Sequence, residues 1–366
     1  MNVLLAAGGT GGHLFPAAAL ASALQARGIA VDLATDDRAL KYGGDFPARA
    51  IHAIPSATPT SAGLPAKLAA AATLARGVLS ALALLRRLKP AVVVGFGGYP
   101  TVPPLMAASL LSVPSILHEQ NAVMGRANRF LSRRVSLIAT GFPDLGGVSA
   151  GLKPKLRYTG NPVRPAVLAA AATPYPDFAD GRLRVLVTGG SQGARVMSEV
   201  VPAALAKFSP EERGRISLTL QARGEDRAKA AADCERLGFS ADIAEFFPDL
   251  PARIAGAHLV VARAGASTVS ELAVIGRPAI LVPYPHALDQ DQAANAALLA
   301  QSGAATVVRQ ADFTPDSLAS IWRAALADPA SLRKRAETAQ QAGVPDAAER
   351  LADLVAQTAA RGLNPA

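Results

Sequence analysis

The sequence predicts an α/β protein built from two doubly wound, Rossmann-like domains. Short apolar runs of strand length alternate with longer helical patterns, and this alternation is typical of βαβ units around a parallel sheet. The alternation stops near residue 160 and restarts near residue 183, and each half opens with a strand that leads directly into a glycine-rich loop. A chain of 366 residues, of which 50% are hydrophobic, is long enough for two domains of ordinary size.

In the first half, each short apolar run predicts a buried parallel strand, and each longer pattern predicts the helix that follows it. The predicted strands are residues 3–6, 31–34, 92–95, 116–118 and 137–139. The predicted helices are residues 15–27, 65–88, 102–111 and 125–131.

The second half repeats this pattern. The predicted strands are residues 183–188, 216–220, 242–245, 259–262 and 279–282, with a helix at 194–208 and a helical C-terminal region from 315 to about 360. Between the halves, residues 160–165 read Gly-Asn-Pro-Val-Arg-Pro, which can continue neither a strand nor a helix. We therefore expect domains at 1–160 and 161–344 that face each other across a cleft, with a last helix at 345–366 returning to the first domain.

Composition limits the possible classes of protein. The single cysteine, Cys234, excludes a disulfide framework and a cysteine-based metal cluster, and it fits a reducing cytoplasm. Residues 1–7 run straight into glycines without a preceding basic segment, so no signal peptide is evident. The longest apolar stretch, residues 68–85, contains Arg76 and Gly77 and is mostly alanine, which is weak for a membrane span. We expect a soluble or peripheral protein.

The net charge of +9 is concentrated in the first half of the chain. Residues 1–160 contain 16 basic and 6 acidic residues, a net charge of +10, whereas residues 161–366 contain 21 and 22, a net charge of −1. This asymmetry indicates an anionic partner for the first half: a membrane lipid, a nucleic acid or a phosphorylated substrate. The charge alone is explained equally well if the basic residues only keep the protein soluble.

A glycine-rich loop follows the first strand of each half. Residues 8–13 read Gly-Gly-Thr-Gly-Gly-His, and residues 189–194 read Gly-Gly-Ser-Gln-Gly-Ala. Such a loop leading into a helix suits phosphate, because the helix N-terminus offers N–H groups and partial positive charge, although one loop alone could be a plain tight turn. Together the loops form an internal pseudo-repeat, which fits GT-B glycosyltransferases better than dehydrogenases or epimerases.

Two further segments carry polar residues with open interpretations. In residues 263–271, Ser267 is the predicted N-cap of a helix, and Glu271 is either a helix-start acid or an acceptor for ribose hydroxyls. Asp289 and Asp291 match the Asp-x-Asp of metal-using glycosyltransferases of another fold. Because this pair begins a predicted helix, we expect capping and no metal. Asp36, after the second strand, is predicted to be a solvated turn residue.

Taken in order, eight segments resemble the MurG family of bacterial glycosyltransferases. They are residues 8–16, 95–100, 118–121, 160–164, 189–195, 263–271, 283–295 and 345–350. The resemblance implies an inverting transfer of N-acetylglucosamine (GlcNAc) from UDP-GlcNAc to the 4-hydroxyl of MurNAc in undecaprenyl-pyrophosphoryl-MurNAc-pentapeptide (lipid I), which gives lipid II for peptidoglycan synthesis. Two alternatives remain: another GT-B transferase with a different acceptor, and a non-catalytic or redox Rossmann protein that binds a nucleotide.

The resemblance also implies which residues form the site. Those expected to contact the donor from the second domain are Arg164, Ser191, Phe247, Ala266, Ser267, Thr268, Val269, Ser270, Glu271 and Gln292, with Gln292 on the sugar and Phe247, through its side chain or its backbone, against the uracil. Those expected to close over the donor from the first domain are Thr10, Gly11, Gly12 and Asn121. His13 is the candidate general base, since imidazole titrates near neutrality; the alternative is that it only orients the loop.

The expected partners follow from the same residues. Helix N-termini with Arg164 can supply positive potential for the leaving diphosphate, so no cofactor is expected. The predicted helix 65–88 has Leu74, Val78, Leu82 and Leu85 on one face, and for most of its length we expect it to pack in the core. Basic residues lie at its ends, and more arginines lie at 126–134. We expect the first domain to dock reversibly on anionic lipid at the cytoplasmic face of the bacterial inner membrane, near other cell-wall synthesis proteins, with no nucleic-acid partner.

Overall fold

The computed structural model describes residues 1–8, 11–36, 46–58, 63–190, 193–287 and 290–363 of the chain. The chain divides into two compact units, one formed by Met1–Arg164 with Pro345–Ala366 and the other by Pro165–Val344. The boundary between the two units falls between Arg164 and Pro165, whereas the sequence pattern placed it after residue 160. Arg164 is therefore a residue of the first unit.

The first unit contains a parallel sheet with the strand order β3-β2-β1-β4-β5-β6-β7. Its strands are β1 Asn2–Ala6, β2 Ala30–Thr35, β3 Ala50–Ala53, β4 Val92–Gly95, β5 Ser115–Glu119, β6 Leu137–Thr140 and β7 Leu156–Tyr158. The sequence pattern missed β3 and β7 because these edge strands are short and lack a buried apolar run. Since all the strands are parallel, the loops that follow them meet at one edge of the sheet.

Helices cover both faces of this sheet. They are α1 Gly11–Ala26, α2 Leu64–Leu88, α3 Val102–Leu110, α4 Arg126–Leu131 and the C-terminal helix Ala347–Leu363. One apolar cluster joins the sheet to α1 and the C-terminal helix, and another joins it to α2, α3 and α4. Arg27, directly after α1, forms ion pairs with Glu349 and Asp353, which hold the C-terminal helix on the first unit.

Helix α2, with 25 residues, is the longest helix of the first unit. By length and composition alone, Pro65–Leu88 could cross a membrane, since its mean hydropathy reaches 1.8, which is higher than the sequence analysis allowed. Its buried face follows Ala70, Gly77, Ala81 and Leu84. Gly77 permits close packing, because a Cβ there would lie 2.1 Å from the carbonyl oxygen of Pro55. We therefore describe α2 as a helix packed on the sheet along one side.

The second unit repeats the doubly wound plan, with the parallel strand order β10-β9-β8-β11-β12-β13. Its strands are β8 Leu183–Thr188, β9 Ile216–Gln221, β10 Asp242–Ala244, β11 Leu259–Ala262, β12 Ala279–Leu281 and β13 Ala305–Val307. Its helices are α5 Pro165–Ala171, α6 Arg195–Leu205, α7 Pro210–Gly214, α8 Gly224–Arg236, α9 Leu250–Gly256, α10 Ala266–Ile275, α11 Asp291–Gln301, α12 Pro315–Ala327 and α13 Pro329–Ala342. Strands β8, β9 and β11 pack against α6 and α12 around the fully buried Trp322.

Candidate functional site

Gly8, the first residue of the first glycine-rich loop, is packed tightly against the end of β2. A Cβ on Gly8 would lie 2.8 Å from Oδ1 of Asp36, so only glycine fits beside this carboxylate. Asp36 is itself buried, and its prediction as a solvated turn residue is wrong, because Gly8 packs against its carboxylate. Helix α1 begins at Gly11, four residues earlier than the hydrophobic pattern indicated, since Gly11, Gly12 and His13 form its first turn. Thr10 lies outside the described residues.

His13 stands beside a second glycine segment. A Cβ on Gly98 would lie 3.5 Å from Cε1 of the His13 imidazole, and Gly98 has a positive φ of 71°. Burial lowers the pKa of His13 below its usual value near 6.5, and a hydrogen bond with the backbone of Gly8 acts in the opposite direction. The imidazole is therefore largely neutral at pH 7, which is the form that can accept a proton.

Glu119, at the end of β5, organises the loop that carries Asn121. Its Oε1 accepts hydrogen bonds from the backbone N–H of Asn121 at 2.9 Å and from Nδ2 of the same residue at 3.4 Å. Its Oε2 accepts from the backbone N–H of Gly125 at 2.9 Å and from Nδ2 of Asn128 at 2.6 Å. Burial raises the pKa of Glu119, and these donors oppose the rise. The carboxylate thus acts as the brace of this loop.

His118 and Gln120 attach the junction segment to the first unit. His118 Nε2 donates to the carbonyl of Gly160 at 3.1 Å, and Asn161 Nδ2 donates to the carbonyl of Gln120 at 2.9 Å. Burial lowers the pKa of His118 to about 4, so its ring is neutral at pH 7. Gly160 donates to Thr140 of β6. These hydrogen bonds hold Gly160 and Asn161 on the first unit, so the boundary between the units lies further along the chain.

Arg164 belongs to a small stack in the first unit. Its guanidinium carbon lies 4.5 Å from the centroid of the Phe15 ring, a cation–π distance. The same ring covers Gly11, where a Cβ would lie 3.0 Å from Phe15 Cε2. The structure thus brings together Gly11 and Arg164, two of the residues expected to contact the donor.

The second glycine-rich loop is a tight turn at the end of β8. A Cβ on Gly189 would lie 2.2 Å from the backbone nitrogen of Ala194, and Gly190 and Gly193 have positive φ angles of 76° and 70°. Thr188 Oγ1 accepts from the backbone N–H of Gly190 at 3.3 Å and donates to Gln221 of β9 at 2.6 Å. The loop is therefore held by its neighbouring strand. Ser191 lies outside the described residues.

The segment expected to line the nucleotide forms the start of α10. Gly265 is the N-cap residue, in an extended conformation, and Ala266 is the first residue of the helix. The prediction that Ser267 caps this helix is wrong, because Ser267 is already in its first turn. Ser267, Thr268 and Ser270 are partly exposed, while the side chains of Val269 and Glu271 are buried. Of this segment, Val269 can face a ligand only through its backbone.

Helix α11 fixes the loop that precedes α10. Gln292 Oε1 accepts from the backbone N–H of Ala264 at 3.3 Å and from that of Tyr284 at 2.9 Å. Asn295 Nδ2 donates to the carbonyl of Ala264 at 3.1 Å. The carbonyl oxygen of the Gln292 side chain is thereby used within the protein, and its NH₂ group is the part that can donate to a sugar hydroxyl.

Asp291, the second acid of the Asp-x-Asp segment, lies at the start of a helix as expected, but it is not the N-cap residue of α11. Asp291 is the first residue of the helix, and its Oδ1 accepts from the backbone N–H of Gln292 at 2.9 Å. The N-cap residue is Gln290, with a positive φ of 50°, and Asp289 lies outside the described residues. Among the residues that the structure describes, no group of three or more His, Cys, Asp or Glu side chains is arranged to hold a metal ion.

The expected uracil contact, Phe247, has its side chain inside the second unit. It is buried, and the guanidinium carbon of Arg253 lies 4.2 Å from its ring centroid. Its neighbour Phe246 is 73% exposed. A contact between a uracil and Phe247 would therefore involve the backbone of Phe247, the second possibility that the resemblance left open.

Arg263 lies in one of the segments that resemble the MurG family, but sequence analysis assigns it no role. Its guanidinium donates to the carbonyl of Val282 at 3.0 Å and to Gln310 Oε1 at 2.6 Å, and it lies 5.3 Å from the ring of Tyr284. It therefore ties the loops after β11 and β12 together. A basic residue directly after a buried strand was the signal that could have indicated this role.

Comparisons with known proteins decide the family. The N-terminal domain of glycosyltransferase family 28 matches residues 3–140, and the C-terminal domain of the same family matches residues 184–351. A curated relative from Methylobacterium sp. (strain 4-46) is 61% identical over 98% of this chain and 96% of its own length. It is named UDP-N-acetylglucosamine--N-acetylmuramyl-(pentapeptide) pyrophosphoryl-undecaprenol N-acetylglucosamine transferase. The chain belongs to the MurG family.

More distant members of the MurG family agree. A relative with the same name from Brucella canis is 56% identical over 96% of this chain and 93% of its own length. The crystal structure of Acinetobacter baumannii MurG is 29% identical, with a TM-score of 0.79, and covers 97% of this chain and 99% of that one. The expected fold, a GT-B glycosyltransferase of two Rossmann-like domains, is confirmed.

Proposed function

We propose that this chain transfers GlcNAc from UDP-GlcNAc to the 4-hydroxyl of MurNAc in lipid I and so forms lipid II. The observation that carries this proposal is the 61% identity over 98% of the chain to a relative whose name states this donor sugar and this acceptor. The geometry of the chain agrees with it, since each unit presents a glycine-rich loop that leads into a helix at the carboxyl edge of its sheet.

The reaction is a single inverting displacement. The acceptor oxygen forms a bond to the anomeric carbon of GlcNAc, and the bond from that carbon to the β-phosphate oxygen breaks with its electron pair, so UDP departs. The hydroxyl proton passes to a base. His13 is the proposed base because its lowered pKa keeps the imidazole neutral, and the contact with the glycine at 98 fixes the position of its ring.

Negative charge develops on the departing UDP, and positive groups must meet it. The loop at 189–194 and the start of α10 offer backbone N–H groups at helix N-termini. Arg164 adds a full charge, which Phe15 holds in place. In the proposal, Thr268 and Ser191 lie near the phosphates, Glu271 accepts from the ribose hydroxyls, and the NH₂ group of Gln292 donates to the sugar.

The decisive experiment is transfer of radiolabelled GlcNAc from UDP-GlcNAc to a lipid I analogue in detergent. A matched arm contains a soluble acceptor of the same sugar without the polyprenyl diphosphate. Label in the lipid product alone supports the proposal. Transfer to the soluble acceptor alone would favour another GT-B transferase, and the absence of transfer and of UDP binding would contradict both.

We also propose that the first unit docks on the anionic cytoplasmic face of the bacterial inner membrane. Leu68 and Leu79 of α2 are 62% and 67% exposed, and eleven residues of helix place them on the same side. Lys67, Arg86 and Arg87 are exposed on the same helix. Each basic residue near an anionic surface contributes about 1 kcal/mol, so this arrangement supports reversible docking. The protein would meet its acceptor, lipid I, and other proteins of cell-wall synthesis at that surface.

Vesicle sedimentation tests the docking proposal. The double substitution Leu68→Ser and Leu79→Ser should reduce binding to vesicles that contain anionic lipid by several-fold. The matched control is Leu168→Ser, which removes an exposed leucine from the second unit. Equal binding of all three proteins, or binding that does not depend on anionic lipid, would disprove docking through α2.

A further inference from the structure

Arg223 lies beside the second glycine-rich loop, at the same edge of the sheet. Strand β9 ends at Gln221, and Arg223 is the extended residue just before α8. Strand β9 pairs with β8, whose end leads into the loop at 189–194. Gln221 already supports the beginning of this loop through Thr188. The end of β9 therefore lies next to the start of this loop.

The side chain of Arg223 runs across the loop at Gly193. A Cβ on Gly193 would lie 2.9 Å from Cδ and 3.1 Å from Cγ of Arg223. Two features favour glycine at position 193. Its φ of 70° is one that other residues rarely adopt, and a side chain would displace the aliphatic part of Arg223. The guanidinium begins one bond beyond Cδ, so it lies close to Gly193.

The charge of Arg223 is available, unlike that of the other arginine at this loop. Arg195, the first residue of α6, forms ion pairs with Glu199 at 2.9 Å and with Asp226 at 3.8 Å. Arg223 is exposed and forms no ion pair with any residue in the described part of the chain. The side chain does not cap α8 either. Its guanidinium therefore keeps its donors and its charge for a ligand.

We propose that Arg223 is a phosphate-binding residue whose guanidinium donates to the diphosphate of UDP in the loop at 189–194. This inference rests on the proposed function and adds a cation from the second unit to the one supplied by Arg164. A guanidinium suits this role because it offers paired N–H donors to phosphate oxygens. It would stabilise bound UDP and the charge that develops as UDP departs.

The test compares the affinities of UDP and of uridine, which lacks phosphate, by calorimetric titration of the full chain. Arg223→Ala should raise the Kd for UDP by about tenfold, the size expected for a charge-assisted hydrogen bond at a partly solvated site, and leave the Kd for uridine within about twofold. Arg223→Lys should fall between, because lysine keeps the charge and loses the paired donors. The control Arg227→Ala removes an exposed arginine one turn further along α8 and should leave both affinities unchanged.

The possible outcomes separate this inference from the proposed function. If the unsubstituted protein binds UDP and Arg223→Ala binds it equally well, the role of Arg223 is disproved and the proposed function stands. The same conclusion follows if uridine binding weakens as much as UDP binding, since the side chain would then act on the nucleoside or on the fold. If the unsubstituted protein does not bind UDP, both proposals fail together.

Discussion

His13 illustrates how neighbouring residues set the chemistry of a single side chain. Its ring lies beside the backbone at residue 98, and the surrounding protein lowers its pKa, so the neutral form is favoured at pH 7. A neutral imidazole can accept the proton of an attacking hydroxyl, while a charged one cannot. Because α1 starts at Gly11, His13 lies in its first turn.

Substituting His13→Ala should therefore reduce turnover by about 10²- to 10⁴-fold, the usual contribution of a general base. The Kd for UDP should change by less than about threefold, because the diphosphate and nucleoside contacts proposed here lie elsewhere. Steady-state kinetics and UDP titration measure the two effects. Turnover close to that of the unsubstituted protein would remove His13 as the base, and an equal loss of UDP affinity would indicate a role in folding of the loop.

His118 shows a different use of a buried histidine. Its neutral ring donates to Gly160 and so joins β5 to the junction segment. Its pKa of about 4 in the folded protein lies well below the value near 6.5 of an exposed histidine. Because the folded pKa is depressed, the neutral ring stabilises the fold fully above pH 6.5, and this stabilisation is lost as the pH falls toward 4.

We predict that acid weakens the first unit by about 3 kcal/mol between pH 6.5 and pH 4 through this one group. His118→Gln keeps an N–H donor but cannot titrate, so its thermal unfolding temperature should start lower and fall less steeply with pH. His286→Gln, which replaces an exposed histidine, should keep the original pH dependence. Identical slopes for the His118 variant and the unsubstituted protein would contradict the role assigned to His118.

At the scale of elements, α2 shows how packing overrides helix propensity. Gly77 stands in the middle of a 25-residue helix, where glycine is unfavourable by about 1 kcal/mol relative to alanine. Glycine is required at this position because Pro55 and Pro103 approach its Cα too closely for a side chain. The same close approach buries one side of the helix and leaves Leu68 and Leu79 exposed on the other.

Gly77→Ala should consequently lower the free energy of unfolding, by about 1–3 kcal/mol, even though alanine is the better helix former. Ser80→Ala, at an exposed position of the same helix, should leave it unchanged or raise it slightly. Thermal or urea unfolding followed by circular dichroism measures both variants. Stabilisation by Gly77→Ala would mean that α2 is not packed against Pro55.

At the scale of the whole molecule, charge is divided between the two parts of the chain. The first 160 residues have a net charge of +10 and the remainder −1. The exposed arginines of α2 and its one lysine, Lys67, therefore act together with the rest of a basic unit. A field of this kind attracts an anionic surface over a distance set by the ionic strength.

We predict that binding to anionic vesicles falls several-fold as salt is raised from about 0.1 M to about 1 M, where the Debye length shrinks from about 10 Å to about 3 Å. Sedimentation of the full chain at increasing sodium chloride concentration measures this effect. The residual binding at high salt should then depend on Leu68 and Leu79. Binding that is unchanged across this range would show that charge plays no part in docking.

Sequence patterns predicted most elements of the fold but placed several boundaries and side chains incorrectly. The central strands were predicted because they are continuous apolar runs, whereas edge strands β3, β7 and β13 lack such runs. Ser267 was a reasonable N-cap by residue type, yet Gly265 occupies that position because the loop before α10 is held by α11. Asp36 was expected in solvent because the sequence does not show that Gly8, just after the neighbouring strand, packs against its carboxylate.

The sequence by itself determined the doubly wound fold class, the two glycine-rich loops and the family, because these depend on residue type and on spacing along the chain. Only the tertiary structure decided that Arg164 belongs to the first unit, that the Phe247 side chain is buried, and that Arg223 lies over Gly193. These facts depend on contacts between segments distant in sequence or on the path of the backbone. Such contacts arise only when strands align side by side and bring their following loops to a common edge.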